Sequence, residues 1–242
     1  VAGVLGGRRR GFELMPDPAV PVSPVVSAAI LYDLANGGDK HWGEIPPYAA
    51  LGRRAVQAAD RTFRLGRAGA GYGASAGRLP GGTGSASVVT DDGYTIGAIA
   101  AVNCFGSVKV PGTDAFWAAP FEIGGEFGDV PFPASADFDA EDWGVAKFNP
   151  APGTNTTIAV VATDAVLSSA DAKRLAQMAS AGFARAIRPV FTPFDGDVVF
   201  ALSTGQRAMA DPAAFTLSRL GSLAADCLTR AIARGVFIAA RD

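Results

Sequence analysis

Histidine and cysteine are scarce in this sequence. Its 242 residues include one histidine, His41, and two cysteines, Cys104 and Cys227. A Ser-His-Asp triad or a histidine-based metal site would have to rely on His41 alone, which lies in a polar loop, so both are largely excluded. The cysteines are far apart, have no metal-like spacing and lie in apolar segments. We predict that they are small buried residues, and not a disulfide or a nucleophile.

The net charge is also low, and the apolar runs are short. The formal net charge is -2 and 18% of residues are charged, which does not indicate a nucleic-acid-binding protein. No apolar stretch approaches the length of a membrane span, and the N-terminus lacks the pattern of a secretory signal. We therefore expect a cytoplasmic protein with neither a nucleic acid nor a membrane as partner. Its length and 49% hydrophobic content suit one large domain or two small ones.

A threonine stands where an apolar run begins. Asn155-Thr156-Thr157 directly precedes the apolar residues 158–162. If the bond between Asn155 and Thr156 were cut, Thr156 would carry a free α-amine beside its hydroxyl group. An α-amine has an ordinary pKa of about 7.7 to 8.0, so it can accept the hydroxyl proton near neutral pH. The same pattern also fits an asparagine in a turn before the first residue of a strand.

Hydrophobic periodicity predicts alternating strands and helices. Apolar runs predict strands at residues 20–34, 95–102, 158–162 and 198–202. Helices are predicted after Pro46-Pro47, after a capping box formed by Ser168 and Asp171, and along an apolar stripe from Leu217 to Ile232. Mostly apolar strands that alternate with helices indicate a sheet covered by helices.

Two segments have no clear secondary structure. Residues 66–84 are rich in glycine and form either a loop whose amides approach a ligand or tightly packed connections. Residues 106–152 are long, aromatic and irregular, and loops of this length usually cover a site or link mobile parts. The second segment ends just before Thr156, which suits a segment that releases a new terminus.

Five blocks of the sequence, spread over nearly the whole chain, carry a family resemblance. They are residues 32–34, 69–77, 101–106, 155–164 and 192–202. In this order they resemble the DmpA-type (L-aminopeptidase/D-esterase) peptidases of family S58. That family includes β-peptidyl aminopeptidases and 6-aminohexanoate-oligomer (nylon) hydrolases.

The resemblance implies a fold and a maturation step. The fold would be α+β, an αββα sandwich of the DmpA/ornithine-acetyltransferase type, with residues 1–242 as a single domain. Self-cleavage between Asn155 and Thr156 would give an α chain, 1–155, and a β chain, 156–242, in homo-oligomers of αβ heterodimers. Thr156 matches the nucleophile because the family places it six residues before the Ala of an Ala-Thr-Asp motif, here Ala162. Thr157 is the competing register.

The resemblance also assigns roles to other residues. Asp195 and Asp197 match positions that orient the nucleophile and its amine, although an Asp-Gly-Asp turn with solvated carboxylates explains the same residues. Asn103 matches the amide that stabilises the oxyanion. The implied substrate-binding residues are Tyr32, Gly71, Gly73 and Arg78. Arg78 stands where lysine is frequent in the family, and a guanidinium keeps the charge but not the ability to lose a proton.

The N-terminus departs from the family. Residues 1–14 resemble the later part of a helix that other members reach only after a region with several strands. The first residue is Val, which favours a fragment or a processed chain. The alternatives are a protein that closes its sheets differently or one that borrows a neighbouring subunit. An open sheet edge would favour association.

The resulting functional hypothesis is an amide hydrolase that acts through an acyl-enzyme on Thr156, on a peptide or another small amide. It implies no metal and no organic cofactor. The residues do not choose among L-, D- and β-amino acid substrates or a polyamide oligomer. Two alternatives stay open, an acyltransferase of the ornithine-acetyltransferase type and an unprocessed, non-catalytic homologue.

Overall fold

A computed structural model describes residues 1–134, 139, 141–148 and 154–242. The chain divides into two compact units, which are described separately. The first unit contains Val1–Ile30 and Gly38–Phe63, and the second contains Leu31–Gly37 and Arg64–Asp242.

The first unit has little regular structure. Its helices are α1, Ala2–Gly7, and α2, Tyr48–Gln57, and a single bridge pairs Phe12 with Ser23. Helix α2 begins directly after Pro47, which confirms the helix predicted from the proline pair.

The strand predicted at residues 20–34 is wrong. Its apolar side chains are exposed, with Val25 at 69% and Ile30 at 84% of their full accessible surface. Apart from the bridge at Ser23, the described residues offer this run no neighbouring strand. β-branched residues favour strands when they pack on a sheet, and here that packing is missing.

The second unit is built on a mixed four-stranded sheet. A short hairpin pairs β1, Ser75–Ala76, with β2, Leu79–Pro80. The main sheet has the spatial order β3-β4-β5-β6, with β3 at Thr83–Val89, β4 at Thr95–Ala101, β5 at Ile158–Ala165 and β6 at Val198–Arg207. The pairs β3-β4 and β4-β5 are antiparallel, whereas β5-β6 is parallel.

Three helices form the layer beside this sheet: α3, Ser169–Ala179, α4, Ala181–Ala186, and α5, Ala213–Ala239. The long helix α5 lies against β3 and β4, and α3 and α4 pack against α5. Strand β3 approaches α5 so closely that a Cβ atom on Gly84 would lie 1.8 Å from the Ala231 carbonyl oxygen. The core between the layers includes Ile96, Val161, Leu175, Phe183, Leu220 and Leu228.

The other predicted elements are confirmed. The strands at residues 95–102, 158–162 and 198–202 are present, and the capping box of Ser168 and Asp171 forms at the start of α3. The α+β class is confirmed, and the described residues supply one sheet layer and one helix layer. None of the described helices combines the length and the apolar character needed to cross a membrane.

The long segment at residues 106–152 is partly packed. Phe116 and Phe127 are buried in the core, a 3-10 turn covers Ala119–Phe121, and Ser107 pairs with Arg188. Residues 135–138, 140 and 149–153 lie outside the described residues, so Phe138 and the loop immediately before Thr154 are not described.

Candidate active site

Three strand ends meet at one end of the main sheet. Strand β4 runs antiparallel to β5 and places Ala101 opposite Ile158. Strand β6 runs parallel to β5 and places Val198 opposite Ile158. The end of β4 therefore lies beside the starts of β5 and β6, and it is at these positions that the sequence has Asn103, Thr156 and Asp197.

The peptide bond between Asn155 and Thr156 is held on both sides. The Thr156 amide donates to the Asn103 carbonyl oxygen at 2.9 Å, and the Gly196 amide donates to the Asn155 carbonyl oxygen at 2.7 Å. Asn155 and Thr156 are only 1% and 5% exposed. A backbone donor is thus already placed on the carbonyl group that Thr156 would attack, where negative charge would develop.

Gly196 lies close to the hydroxyl group of Thr156. A Cβ atom built on Gly196 would lie 2.8 Å from Thr156 Oγ1. This proximity follows from the parallel register. Asn155 bridges to Asp195, so the next residues of the two segments, Thr156 and Gly196, lie side by side. A glycine between the two aspartates is therefore what leaves room for the hydroxyl.

Asp195 is held on both carboxylate oxygens. Its Oδ2 accepts from the Thr192 amide at 3.0 Å and from the Thr192 hydroxyl at 2.6 Å, and its Oδ1 accepts from the Phe105 amide at 3.2 Å. These bonds tie the loop before β6 to the segment after β4. Asp195 consequently fixes the position of Gly196.

Asp197 is satisfied on one oxygen only. Its Oδ1 accepts from the Thr157 amide at 2.7 Å, while its buried Oδ2 has no hydrogen-bond partner among the described residues. Burial raises the pKa of Asp197 to about 7, and the charge of Asp195 acts in the same direction. Asp197 contacts Thr157, the residue next to Thr156, and a carboxyl group whose pKa lies near neutral pH at such a position is a candidate acid-base group.

Thr157, the alternative candidate for the nucleophile, makes different hydrogen bonds. Its amide donates to Asp197, and its carbonyl oxygen accepts from the Val198 amide at 3.1 Å. Its hydroxyl group is buried and has no partner within the described part of the chain. The assignment of the nucleophile to Thr156 and not to Thr157 stays a prediction, supported by the Gly196 donor on the preceding carbonyl.

The side chain of Asn103 points to the segment that leads into the bond between Asn155 and Thr156. Its Nδ2 donates to the carbonyl oxygens of Tyr32 and Thr154, at 3.0 and 3.2 Å, and its Oδ1 accepts from the Ser75 amide at 3.0 Å. In the uncut chain the donor on the Asn155 carbonyl is therefore Gly196. The oxyanion role of Asn103 stays a prediction, as does a role for Tyr32, which meets this cluster through its main-chain oxygen.

Arg78 belongs to a different surface. Its guanidinium donates to the Gly144 carbonyl oxygen at 2.6 Å and lies 4.5 Å from the centre of the Phe148 ring. It lines a cavity of about 270 Å³ whose described lining includes Lys109 and Asp142 but not Thr156. Its substrate-binding role stays a prediction that the hydrogen bonds around Thr156 do not support.

Packing accounts for the two glycines predicted to bind substrate. The Gly71 amide donates to Thr83 Oγ1 at 3.1 Å, and a Cβ atom there would lie 2.3 Å from the Gly82 carbonyl carbon. A Cβ atom on Gly73 would lie 2.4 Å from Asp33 Oδ2. Their substrate-binding roles stay predictions.

Lys147 is a site residue that the sequence analysis missed. Its Nζ donates to Asn155 Oδ1 at 2.8 Å and to Asn103 Oδ1 at 3.4 Å. Burial lowers the pKa of this ammonium group. The sequence feature that could have pointed to Lys147 is that it is the only Lys or Arg between Lys109 and Lys173.

Both cysteines are buried, as predicted. Burial, together with the charge of Asp197, raises the pKa of Cys104 to about 12, so this thiol stays neutral although it lies close to the site. Burial also raises the pKa of Cys227, to about 11. A neutral thiol is a poor nucleophile.

The chain has a fold of the N-terminal-nucleophile hydrolase type. Its structure is similar to that of the L-aminopeptidase D-Ala-esterase/amidase from Ochrobactrum anthropi, a variant of that fold, with a TM-score of 0.50 and 22% identity over 76% of this chain and 47% of that one. At this identity the likeness shows the fold alone.

Sequence comparison identifies the family. The profile of peptidase family S58 matches residues 13–241, so the chain belongs to that family. An uncharacterized aminopeptidase of Mycobacterium tuberculosis is 41% identical over 226 residues, which are 89% of this chain and 63% of that protein. A 6-aminohexanoate-oligomer endohydrolase of an Agromyces species is 27% identical over 196 residues, 75% of this chain and 50% of that protein. The chain thus spans less than two thirds of the curated relatives it matches.

Proposed function

We propose that this protein is a self-processing N-terminal-threonine amide hydrolase. The observation that supports the proposal is the geometry of the Asn155–Thr156 peptide bond, whose carbonyl oxygen accepts from Gly196 while Thr156 Oγ1 lies close to the same glycine. A hydroxyl group and an oxyanion donor on one peptide bond are the two parts that an attack by Thr156 on Asn155 needs.

Maturation proceeds by an acyl shift. Thr156 Oγ attacks the Asn155 carbonyl carbon, and the negative charge on the carbonyl oxygen is stabilised by the Gly196 amide. The C–N bond then breaks, the nitrogen of Thr156 takes up a proton, and Asn155 is left as an ester on Thr156. Water cleaves the ester, which leaves a carboxylate on Asn155 and a free amine and hydroxyl on Thr156.

A base for the Thr156 hydroxyl proton is needed before the amine exists. Asp197 is suited to this role because its pKa is about 7 and one of its buried oxygens has no partner within the described chain. After cleavage the α-amine of Thr156 takes over as base. The same hydroxyl attacks the substrate amide, the acyl-enzyme forms on Thr156, and water activated by the amine releases the product.

Intact-mass spectrometry under denaturing conditions tests the proposal. The wild-type protein is expected as two chains with the masses of residues 1–155 and 156–242, and Thr156→Ala as one uncut chain without hydrolase activity. Thr157→Val is the matched control and is expected to cut at the same bond. A Thr156→Ala protein that still splits after Asn155, or an active wild type that never splits, would refute the proposal.

The substrate class follows from the same acyl-enzyme. We propose a peptide or another linear amide, in keeping with relatives named aminopeptidase and 6-aminohexanoate-oligomer endohydrolase. A panel of aminoacyl amides, β-aminoacyl amides and 6-aminohexanoate oligomers would identify the preferred class. Transfer of the acyl group to an added amine in preference to water would instead indicate an acyltransferase.

Assembly into homo-oligomers of αβ heterodimers is part of the proposal. The strand β6 lies at the edge of the main sheet, and Leu202 on it is 49% exposed. An open edge strand favours association. Size-exclusion chromatography with light scattering would give the mass, and a single αβ unit at all concentrations would refute this part.

A further inference from the structure

Lys147 connects the two asparagines on either side of the candidate cleavage chemistry. It reaches Asn155, the residue that would supply the acyl group, at 2.8 Å, and Asn103, whose carbonyl oxygen holds the Thr156 amide, at 3.4 Å. The backbone amide of Lys147 donates to the Phe105 carbonyl oxygen at 3.0 Å, which anchors the side chain close to the end of β4. The ammonium therefore comes from a fixed point of the chain.

The bond to Asn155 sets the orientation of that side chain. Because Asn155 Oδ1 accepts from Lys147, its Nδ2 is turned to the Phe194 carbonyl oxygen, at 3.2 Å. Asn155 is thus held by Lys147 and Phe194 on its side chain and by Gly196 on its main chain. This set of contacts restrains the rotation of the carbonyl group that Thr156 attacks.

We propose that Lys147 is a positioning residue for self-cleavage, which acts through the Asn155 side chain to hold the scissile carbonyl in line with Thr156. The inference rests on the proposed self-processing. The step itself needs only the bond changes already given, since Lys147 neither gains nor loses a covalent bond. Reactions of this kind are sensitive to misplacement, and an error of about 1 Å in geometry costs on the order of 100-fold in rate.

Cleavage rates of pulse-labelled protein, made by cell-free synthesis, test the inference. Lys147→Met removes the ammonium but keeps an unbranched stem, and a slowing of about 10- to 100-fold is expected, as for the loss of a hydrogen bond from a charged donor. Lys147→Arg keeps a donor and is expected to recover part of the rate. The matched control is Lys173→Met, at an exposed lysine on α3, which should cut at the wild-type rate.

A double-mutant cycle separates positioning from a general effect on folding. Asn155→Ala removes the atom that Lys147 holds, so Lys147→Met should slow the Asn155→Ala protein by less than about twofold. An undiminished effect in that background, or a Lys147→Met protein that cuts within twofold of wild type, would overturn the inference. If Lys147→Met does not fold, Lys147→Gln replaces it in the same cycle under the same two criteria.

The two proposals fail in different ways. If the wild type never cuts, or if Thr156→Ala cuts, the proposed function fails and the inference fails with it. If the wild type cuts, Thr156→Ala does not, and the Lys147 variants cut normally, only the inference fails.

Discussion

A methyl group added at Gly196 should slow self-cleavage while leaving the fold intact. In Gly196→Ala the new carbon would lie 2.8 Å from Thr156 Oγ1, about 0.6 Å closer than the 3.4 Å at which ordinary contact begins. The Gly196 φ angle is not among the positive ones, so alanine fits the backbone and the amide that donates to Asn155 is retained. The steric conflict with the hydroxyl is therefore the main change.

The magnitude follows from how Thr156 can respond. Threonine is stiff about its first side-chain torsion, and a rotation of about 30° from a preferred rotamer costs roughly 0.5–1.5 kcal/mol. A displacement of half an ångström in an attacking atom adds a further loss, because about 1 Å costs on the order of 100-fold. We expect cleavage to slow by about 10- to 100-fold. Stability should change little, because alanine in place of glycine restricts the unfolded chain and contributes about 0.4–1 kcal/mol in the opposite direction.

The assay is the rate at which pulse-labelled precursor separates into residues 1–155 and 156–242, with thermal unfolding measured on the same variant. Gly97→Ala on β4 is the matched control, because its added carbon would meet Ser87 Cβ at 3.6 Å, an ordinary contact. Gly97→Ala should cut at the wild-type rate. A folded Gly196→Ala protein that cuts as fast as wild type would refute the placement of Thr156 Oγ1 as the attacking atom.

Three further predictions concern charge. The self-cleavage rate should rise with pH through about 7, the pKa to which burial raises Asp197. The Asp197→Asn protein should cut slowly at all pH values. A wild-type rate that is flat from pH 5 to 9 would contradict this prediction. Folding favours the neutral form of the Asp197 carboxyl group. Its contribution to the stability of the folded protein is therefore complete below the ordinary pKa of 3.8 and is lost as the pH rises through about 7. In the uncut Thr156→Ala background, urea unfolding should show about 2–3 kcal/mol less stability at pH 8 than at pH 5, and Asp197→Asn should remove most of that difference. Separately, Glu126→Gln should lower the free energy of unfolding by about 3–5 kcal/mol, because it weakens a pair with Arg230 in which both side chains are about 10% exposed. Asp114→Asn, whose carboxylate in the pair with Lys109 is 87% exposed, should have a much smaller effect, and equal costs for the two variants would contradict this reasoning.

Much of the second unit could be predicted from local patterns. Strands β4, β5 and β6 are apolar runs, and Ser168 with Asp171 marks the start of α3 by chemistry that involves only neighbouring residues. Strand β3 was missed because its sequence, Thr-Gly-Ser-Ala-Ser-Val-Val, is small and polar where α5 comes closest. Its residues reflect a tertiary contact and not a strand preference.

The opposite error occurred at residues 20–34. There the local composition favoured a strand, but the described chain provides no partner beyond the bridge at Ser23. A strand is stable only when a neighbour satisfies its backbone groups, and this is not visible in a single segment. A local preference for the strand conformation is thus insufficient to form a strand without a partner strand.

The candidate site shows the same difference between residues marked by local patterns and residues placed by tertiary contacts. The sequence predicts Thr156, Asn103, Asp195 and Asp197 because each stands at a strand end and matches a block of the family. It does not predict Lys147, because the place of this residue depends on where a long irregular segment folds back. Its contacts to Asn103 and Asn155 span 44 and 8 residues of sequence, and no periodic pattern encodes them.

The core pattern of β5 also bears on the prediction that Thr156, and not Thr157, is the nucleophile. Burial alternates strictly along this strand, with Ala159, Val161 and Thr163 facing the core. A slip of one residue against β6 would turn all of these side chains to the other face, so the hydrophobic pattern fixes the register. In the register observed, Asn155 lies beside Asp195 and Thr156 beside Gly196, the one residue without a side chain between the two aspartates. Thr157 lies instead beside Asp197, with its amide bound to that carboxylate. The proposed choice of Thr156 over Thr157 is thus supported by the packing of a strand whose core residues lie outside the candidate site.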